Sequence, residues 1–208
     1  METKLTEKQI AHIDIALKDI GVVYRDIRRE MTDHVATAVE EMSGDNFYAN
    51  FRQYMQLHKK ELKANYYRFV RRSKVDALKL LLRKMLTLQT ALIIAIAFTA
   101  IRLLEKHYDI NKSAFIIKGI NAAILAVPML YYFLTSSLFR SKRFSGLDKL
   151  LSALSGLTFL FILPLRNEGI WSNQLVFELY NAIGSGFAVA FLASFFEINK
   201  KYKLQYHG

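Results

Sequence analysis

Residues 114–139 read AFIIKGINAAILAVPMLYYFLTSSLF, and Lys118 is the single charged side chain in this stretch. A transmembrane α-helix needs roughly 20 consecutive, mainly apolar residues to cross about 30 Å of hydrocarbon. The stretch exceeds that length, so it predicts a membrane span.

Three further apolar stretches predict spans, at 85–104, 147–165 and 175–196. The third has the weakest pattern. Its clean apolar part would rise only about 24 Å as a helix, so it needs local thinning of the bilayer or snorkelling of Lys149. The charged N-terminus lacks the apolar segment of a signal peptide. We therefore expect the first span to insert the chain uncleaved.

The charges of the loops predict the orientation of these spans. The loop 140–149 holds four Lys or Arg against one Asp, and the tail 197–208 holds three Lys against one Glu. The loops 105–112 and 166–174 are balanced in charge. Because Lys and Arg are retained on the cytoplasmic side, both termini are expected in the cytoplasm.

The whole chain is basic, with 29 Lys and Arg against 18 Asp and Glu, a net charge of +11. Part of this excess lies at 71–84, immediately before the first span. Clustered cations beside a span favour anionic lipid headgroups as partners, and no nucleic-acid-binding motif supports the alternative. The chain has no cysteine, which excludes disulfides, thiolate metal sites and cysteine nucleophiles.

The region before the spans predicts three helices. Thr6 has the sequence of a capping box at a helix start, and Gly21 can end that helix in the left-handed conformation. A second helix is expected over 22–42, where apolar residues recur at helical spacing. Asn46 or the preceding Asp can cap a third helix.

No glycine or proline lies between Asn46 and the end of the first span. The third helix is therefore expected to run on through Leu82 toward the membrane, or to bend once into an interfacial segment. The predicted fold is all-α: a four-span transmembrane bundle (85–196) with an N-terminal cytosolic three-helix domain (1–84) and a basic cytosolic tail (197–208).

Residues 30–35 of the second predicted helix read EMTDHV, after a turn with Tyr24 and Ile27. This pattern resembles the N-terminal module of HAAS-type bacterial membrane proteins, whose usual motif is an acidic residue, Leu, any residue and Asp-His. Met31 stands here in place of Leu. The resemblance covers roughly 5–80. It implies a cytoplasmic signalling or adaptor module fused to membrane helices, in families often associated with PadR-like transcription regulators, and it does not imply an enzyme.

Arg28, Glu30, Asp33 and His34 are the candidate interaction residues of this module. A carboxylate can fix the tautomer of an imidazole, and His12 is a further candidate metal ligand. Adjacent residues on a helix point about 100° apart, however, so Asp33 and His34 do not face one spot. We therefore favour a structural role for His34 at a helix–helix seam, and we expect no metal or cofactor.

A second polar cluster is predicted inside the membrane, where ionisable groups are costly. Lys118 and Glu178 lie at matching depth near the outer ends of their spans, and each is followed three residues later by an asparagine, Asn121 and Asn181. Arg102 approaches the same level from the first span. A Lys118–Glu178 pair that pins two spans together is favoured over a polar pocket for an ion, proton or ligand.

Small residues recur every fourth position in the last span, at Ala182, Gly186, Ala190 and Ser194. Such a face lets another helix approach closely, within the chain or, as the second alternative, in a homo-oligomer. No catalytic motif occurs. Together with the HAAS-type resemblance and the unbroken stretch from Asn46 to Leu104, this favours a non-enzymatic adaptor of a bacterial inner membrane in signalling or regulation. A small transporter or permease-like subunit is the alternative.

Overall fold

The computed structural model describes residues 5–42, 46–138, 143–162 and 173–206. These residues form helices without strands, so the all-α prediction is confirmed for the described chain. The helices are α1 (Glu7–Asp19), α2 (Arg25–Glu40), α3 (Phe47–Met85), α4 (Leu88–Leu104), α5 (Ile110–Leu138), α6 (Ser145–Ile162) and α7 (Gln174–Tyr206). The chain divides into two compact units, Met1–Lys74 with Phe139–Ser145, and Val75–Leu138 with Gly146–Gly208.

Helix α1 begins and ends where the sequence predicts. The Thr6 backbone N–H donates to the Gln9 side chain at 2.7 Å, and the Gln9 N–H donates to the Thr6 hydroxyl at 3.4 Å. Gly21 has a φ of 100°, the left-handed conformation that a side chain disfavours. The Val22 N–H then reaches the Leu17 carbonyl at 3.0 Å, which closes the helix.

The core of the first unit is formed by α1, α2 and the beginning of α3. Asn46 caps α3, because its side-chain oxygen accepts from the Ala49 N–H at 3.2 Å. The apolar stripes of the three helices then meet in one cluster. Its buried members are Ile13, Leu17, Val22, Tyr24, Ile27, Met31, Val35, Val39, Phe47, Phe51, Tyr54 and Leu62.

The long third helix ends at Met85 and the chain bends by 60° into α4. Neither glycine nor proline causes this break. The hydroxyls of Thr87 and Thr90 both donate to the Lys84 carbonyl, at 2.9 and 2.7 Å, and the Thr87 hydroxyl caps α4 by accepting from the Thr90 N–H. The third helix therefore continues through Leu82, as the first of the two predicted forms requires, and the bend follows it. The first apolar helix begins at Leu88 rather than at residue 85.

In the second unit, α7 packs against α4 through its small-residue face. A Cβ atom at Gly186 would lie 2.5 Å from Cγ1 of Ile94 and 3.2 Å from Cγ2 of Thr90. Ala182 and Ala190 on the same face are buried. The small residues of α7 thus serve packing within the chain, the first of the two predicted uses.

Two helices are long and apolar enough to cross a membrane, over Ile110–Thr135 and Gln174–Leu204, and the bent pair of α3 and α4 makes a third candidate. This count covers the described residues. The predicted third span, 147–165, extends beyond them at residues 163–165. Large apolar side chains remain exposed along these helices, as on a surface that meets hydrocarbon. Examples are Leu92, Ile96, Phe115, Leu130, Phe133, Val176 and Ile183.

Candidate functional site

Arg28 is the buried member of the predicted interaction cluster. Its Nε donates to Asp14 Oδ1 at 2.7 Å, and a second guanidinium nitrogen donates to the Val22 carbonyl at 3.3 Å. Only 8% of the residue is exposed. Arg28 therefore holds α2 against α1 and the turn between them, since a guanidinium can supply several donors in a fixed fork.

Glu30, Asp33 and His34 are exposed. The prediction that His34 lies buried at a helix seam is therefore wrong. The buried face of α2 is centred between Met31 and Val35. His34 lies about 80° away from that centre on a helix with 3.6 residues per turn. The three polar side chains instead form a strip on the solvent-facing side of α2.

A groove of about 520 Å³ lies between α1 and α3 in the first unit. The ring of His12, a candidate metal ligand from the sequence, packs edge to face against Tyr48 and Phe51 at centroid distances of 5.5 and 5.3 Å. Arg52 and Lys59 also line the groove, together with one carboxylate, Asp19. An aromatic wall with this net positive charge is suited to an apolar ligand that carries negative charge.

The second polar cluster forms where α4 ends and α7 begins. Glu178 is fully buried, and its Oε2 accepts from Arg102 Nε at 2.6 Å. The Arg102 side chain is 52% exposed and its guanidinium lies 5.4 Å from the centre of the Phe98 ring. The structure thus pairs the buried carboxylate with Arg102, which the sequence placed only at the same level.

Lys118 and the two asparagines surround this pair less directly. Lys118 is 8% exposed, and its Nζ lies 5.7 Å from the centre of the Phe177 ring, beside Glu178 in sequence. Asn181 is buried and its amide donates to the Phe177 carbonyl at 2.7 Å. Asn121 is half-buried on α5. The ion pair that the structure describes here joins α4 to α7. The Lys118–Glu178 pair that the sequence predicted between the second and fourth spans stays a prediction.

Two members of this cluster were missed by the sequence analysis. Glu105, the C-cap residue of α4, accepts from the Gln174 side chain at 2.9 Å and lies one turn from Arg102, the partner of Glu178. Burial is the largest cause that raises the pKa of Glu105, the Gln174 hydrogen bond lowers it, and the charge of Glu178 raises it. Both residues had been assigned to charge-balanced loops, where no pattern distinguishes a buried side chain from a solvated one.

Within the described ranges, no three His, Asp or Glu side chains come together as metal ligands. A scan against protein-family models finds no match to the chain, and comparisons with curated proteins and with solved structures find nothing similar. The resemblance of the N-terminal region to HAAS-type modules stays a prediction. The function is therefore argued from the groove and the polar cluster.

Proposed function

We propose that this protein is a non-enzymatic membrane adaptor, which binds a cytosolic partner through the groove of its first unit. The observation that carries the proposal is the groove between α1 and α3, with its wall of His12, Tyr48 and Phe51. Helix α3 supplies residues 47–74 to the first unit and 75–85 to the second without interruption. A change in the membrane helices would reach the groove through this helix.

The expected occupant of the groove is an acidic, amphipathic helical segment of a partner protein. Apolar anchors of such a segment would pack on Phe51 and Met55, and its carboxylates would meet Arg52 and Lys59. Helix-in-groove recognition of this kind needs only a few apolar anchors at helical spacing. By the HAAS-type resemblance, a PadR-like regulator is a candidate partner.

Four spans with both termini in the cytoplasm form part of the proposal. The two to three helices that can cross a membrane support it, as do the basic loops 140–149 and 197–208. In this arrangement, the basic residues at 71–84 of α3 face anionic headgroups of the inner membrane, each worth about 1 kcal/mol near the surface. The first unit would then be the cytosolic module.

Site-specific photo-crosslinking in cells tests the partner. A crosslinking amino acid replaces Tyr48, which lines the groove and is 61% exposed, and in a matched control it replaces Tyr67, which is 68% exposed on α3 outside the groove. We expect one protein to crosslink at position 48 and not at position 67. Its crosslinked segment, made as a peptide, should bind the full-length chain in nanodiscs, with at least about tenfold weaker affinity for Tyr48→Asp, a loss of roughly 1.4 kcal/mol.

Equal crosslinking at both positions would contradict the proposal. The same holds for a crosslink to lipid or to a second copy of the chain, and for a partner segment without acidic residues. Tyr67→Asp serves as the control for the added charge in the binding titration, and it should leave the affinity unchanged.

A small transporter is the second candidate function, and one observation favours it. Glu178 is a fully buried carboxylate on a helix that can cross a membrane, and its Oε1 has no hydrogen-bond partner among the described residues. Buried carboxylates in spans mark ion or proton pathways. Flux of an ion or proton into proteoliposomes that Glu178→Gln abolishes would support transport, and unchanged flux would contradict it.

A further inference from the structure

Two carboxyl groups lie where α4 ends and α7 begins, and one oxygen of each accepts a hydrogen bond. Glu105 Oε2 accepts from Gln174 Nε2 at 2.9 Å, and Glu178 Oε2 accepts from Arg102 Nε at 2.6 Å. Arg102 and Glu105 lie one turn apart on α4, and Gln174 and Glu178 lie one turn apart on α7, so these two contacts bring the two carboxyl groups to neighbouring positions.

The other oxygen of each carboxyl group is buried. Glu105 Oε1 and Glu178 Oε1 have no hydrogen-bond partner within the part of the chain that the structure describes. Asn181, which is 3% exposed and one turn from Glu178 on the same face of α7, presents a third such atom, its Oδ1. Buried acceptors without donors are costly. The two carboxyl oxygens, on helices that the Arg102–Glu178 ion pair joins, indicate a ligand that supplies a donor.

The charges around the two carboxyl groups favour one negative charge over two. Arg102 of α4 pairs with Glu178 and balances one negative charge. Glu105 lies at the C-terminus of α4, where the helix dipole disfavours a second negative charge. Two neighbouring carboxyl groups with buried oxygens bind one proton more readily than they ionise together.

We propose that Glu105 and Glu178 form a binding site for one proton, which is held between their Oε1 atoms. The proton makes one oxygen a donor to the other, so that both become satisfied. Glu105 carries the proton and Glu178 remains the charged partner of Arg102. Burial of Glu105 supports this assignment, since it raises the pKa of that carboxyl group. The site requires neither the adaptor role nor transport, because a proton bound at equilibrium suffices.

Infrared difference spectroscopy of the full-length protein in nanodiscs tests the site, because a protonated carboxyl group has its own carbonyl stretch. We compare the wild type with Glu105→Gln and Glu178→Gln. The matched control is Glu197→Gln, which removes the carboxylate that pairs with Lys84 at 2.6 Å on the same helix α7. The spectra are recorded over a pH series in potassium and in sodium buffers.

The wild type and Glu197→Gln should show a protonated carboxyl band that persists above the ordinary titration range of a carboxyl group, with about one proton bound per chain. Glu105→Gln should lose this band, and Glu178→Gln should shift its titration to lower pH, since the repulsion is gone. A band that survives Glu105→Gln would overturn the proposal. A band displaced by sodium would also overturn it, because the occupant would then be a metal cation. If Glu178→Gln fails to fold, Glu105→Gln decides the outcome alone.

Discussion

Arg28 is buried between α1 and α2 because both of its acceptors, the Asp14 carboxylate and the Val22 carbonyl, lie within its reach. We expect Arg28→Met to lower the free energy of unfolding of the protein by about 1–3 kcal/mol, since the Val22 carbonyl then loses its donor in a buried position. Thermal or denaturant unfolding followed by circular dichroism measures this. An exposed basic residue of α3 gives the control: Lys63→Met should change the stability by less than about 0.5 kcal/mol. Equal effects of the two changes would show that the buried contacts contribute nothing specific.

Glu105 gives a pH dependence whose sign follows from its burial. The pKa of Glu105 is raised from 4.5 in the folded protein, so the folded state holds the proton to a higher pH than the unfolded chain does. The stability that this group contributes is present below the ordinary carboxyl pKa and is lost as the pH rises through the raised value. Glu105→Gln cannot lose a proton. The unfolding temperature of Glu105→Gln minus that of the wild type should therefore increase as the pH rises through this window. A difference that does not change with pH would contradict the assignment.

The close packing at the small-residue face of α7 predicts how a larger side chain there would change the stability. Gly186→Ala would place a Cβ 2.5 Å from Ile94 Cγ1, so α4 and α7 must separate or Ile94 must move. We expect a loss of about 1–3 kcal/mol in the free energy of unfolding. Gly119→Ala in α5 is the matched control. A Cβ there meets no atom within 4 Å, so it should be neutral or stabilising by up to about 1 kcal/mol. Thermal unfolding of both variants in nanodiscs separates the two cases, and an unchanged Gly186→Ala would show that the helices do not pack closely there.

The start of α1 could be predicted from the sequence because its cause is local: the Thr6 capping box lies within one turn. The break after α3 could not, although its residues are local too. It depends on Thr87 and Thr90 both donating to the Lys84 carbonyl, and threonines in an apolar stretch do this in some helices and not in others. The sequence pattern also did not predict where α7 ends. The helix continues past Phe196 to Tyr206 because lysines are compatible with a helix and favourable near its C-terminus.

The two candidate sites differ in how far the sequence could define them. Helical spacing found Arg102 and Glu178 at one level, but the pairing of Glu178 with Arg102 depends on how α4 and α7 are rotated about their axes. Spacing alone does not fix that rotation. The groove on the first unit was missed because its walls come from α1 and α3, and Tyr48 has no marked position in the pattern of either helix.

At the scale of the whole molecule, the absence of cysteine in the sequence makes the membrane topology directly testable. Single cysteines replace three exposed residues, Lys60 in the first unit, His107 between α4 and α5, and Lys200 near the end of α7. The basic loops predict that Lys60 and Lys200 lie in the cytoplasm and His107 outside. A membrane-impermeant maleimide applied to intact cells should therefore label His107→Cys alone. After permeabilisation, all three variants should react. Labelling of Lys200→Cys but not of Lys60→Cys in intact cells would place an odd number of spans between residues 60 and 200. It would overturn both the four-span arrangement and the assignment of the C-terminus to the cytoplasm.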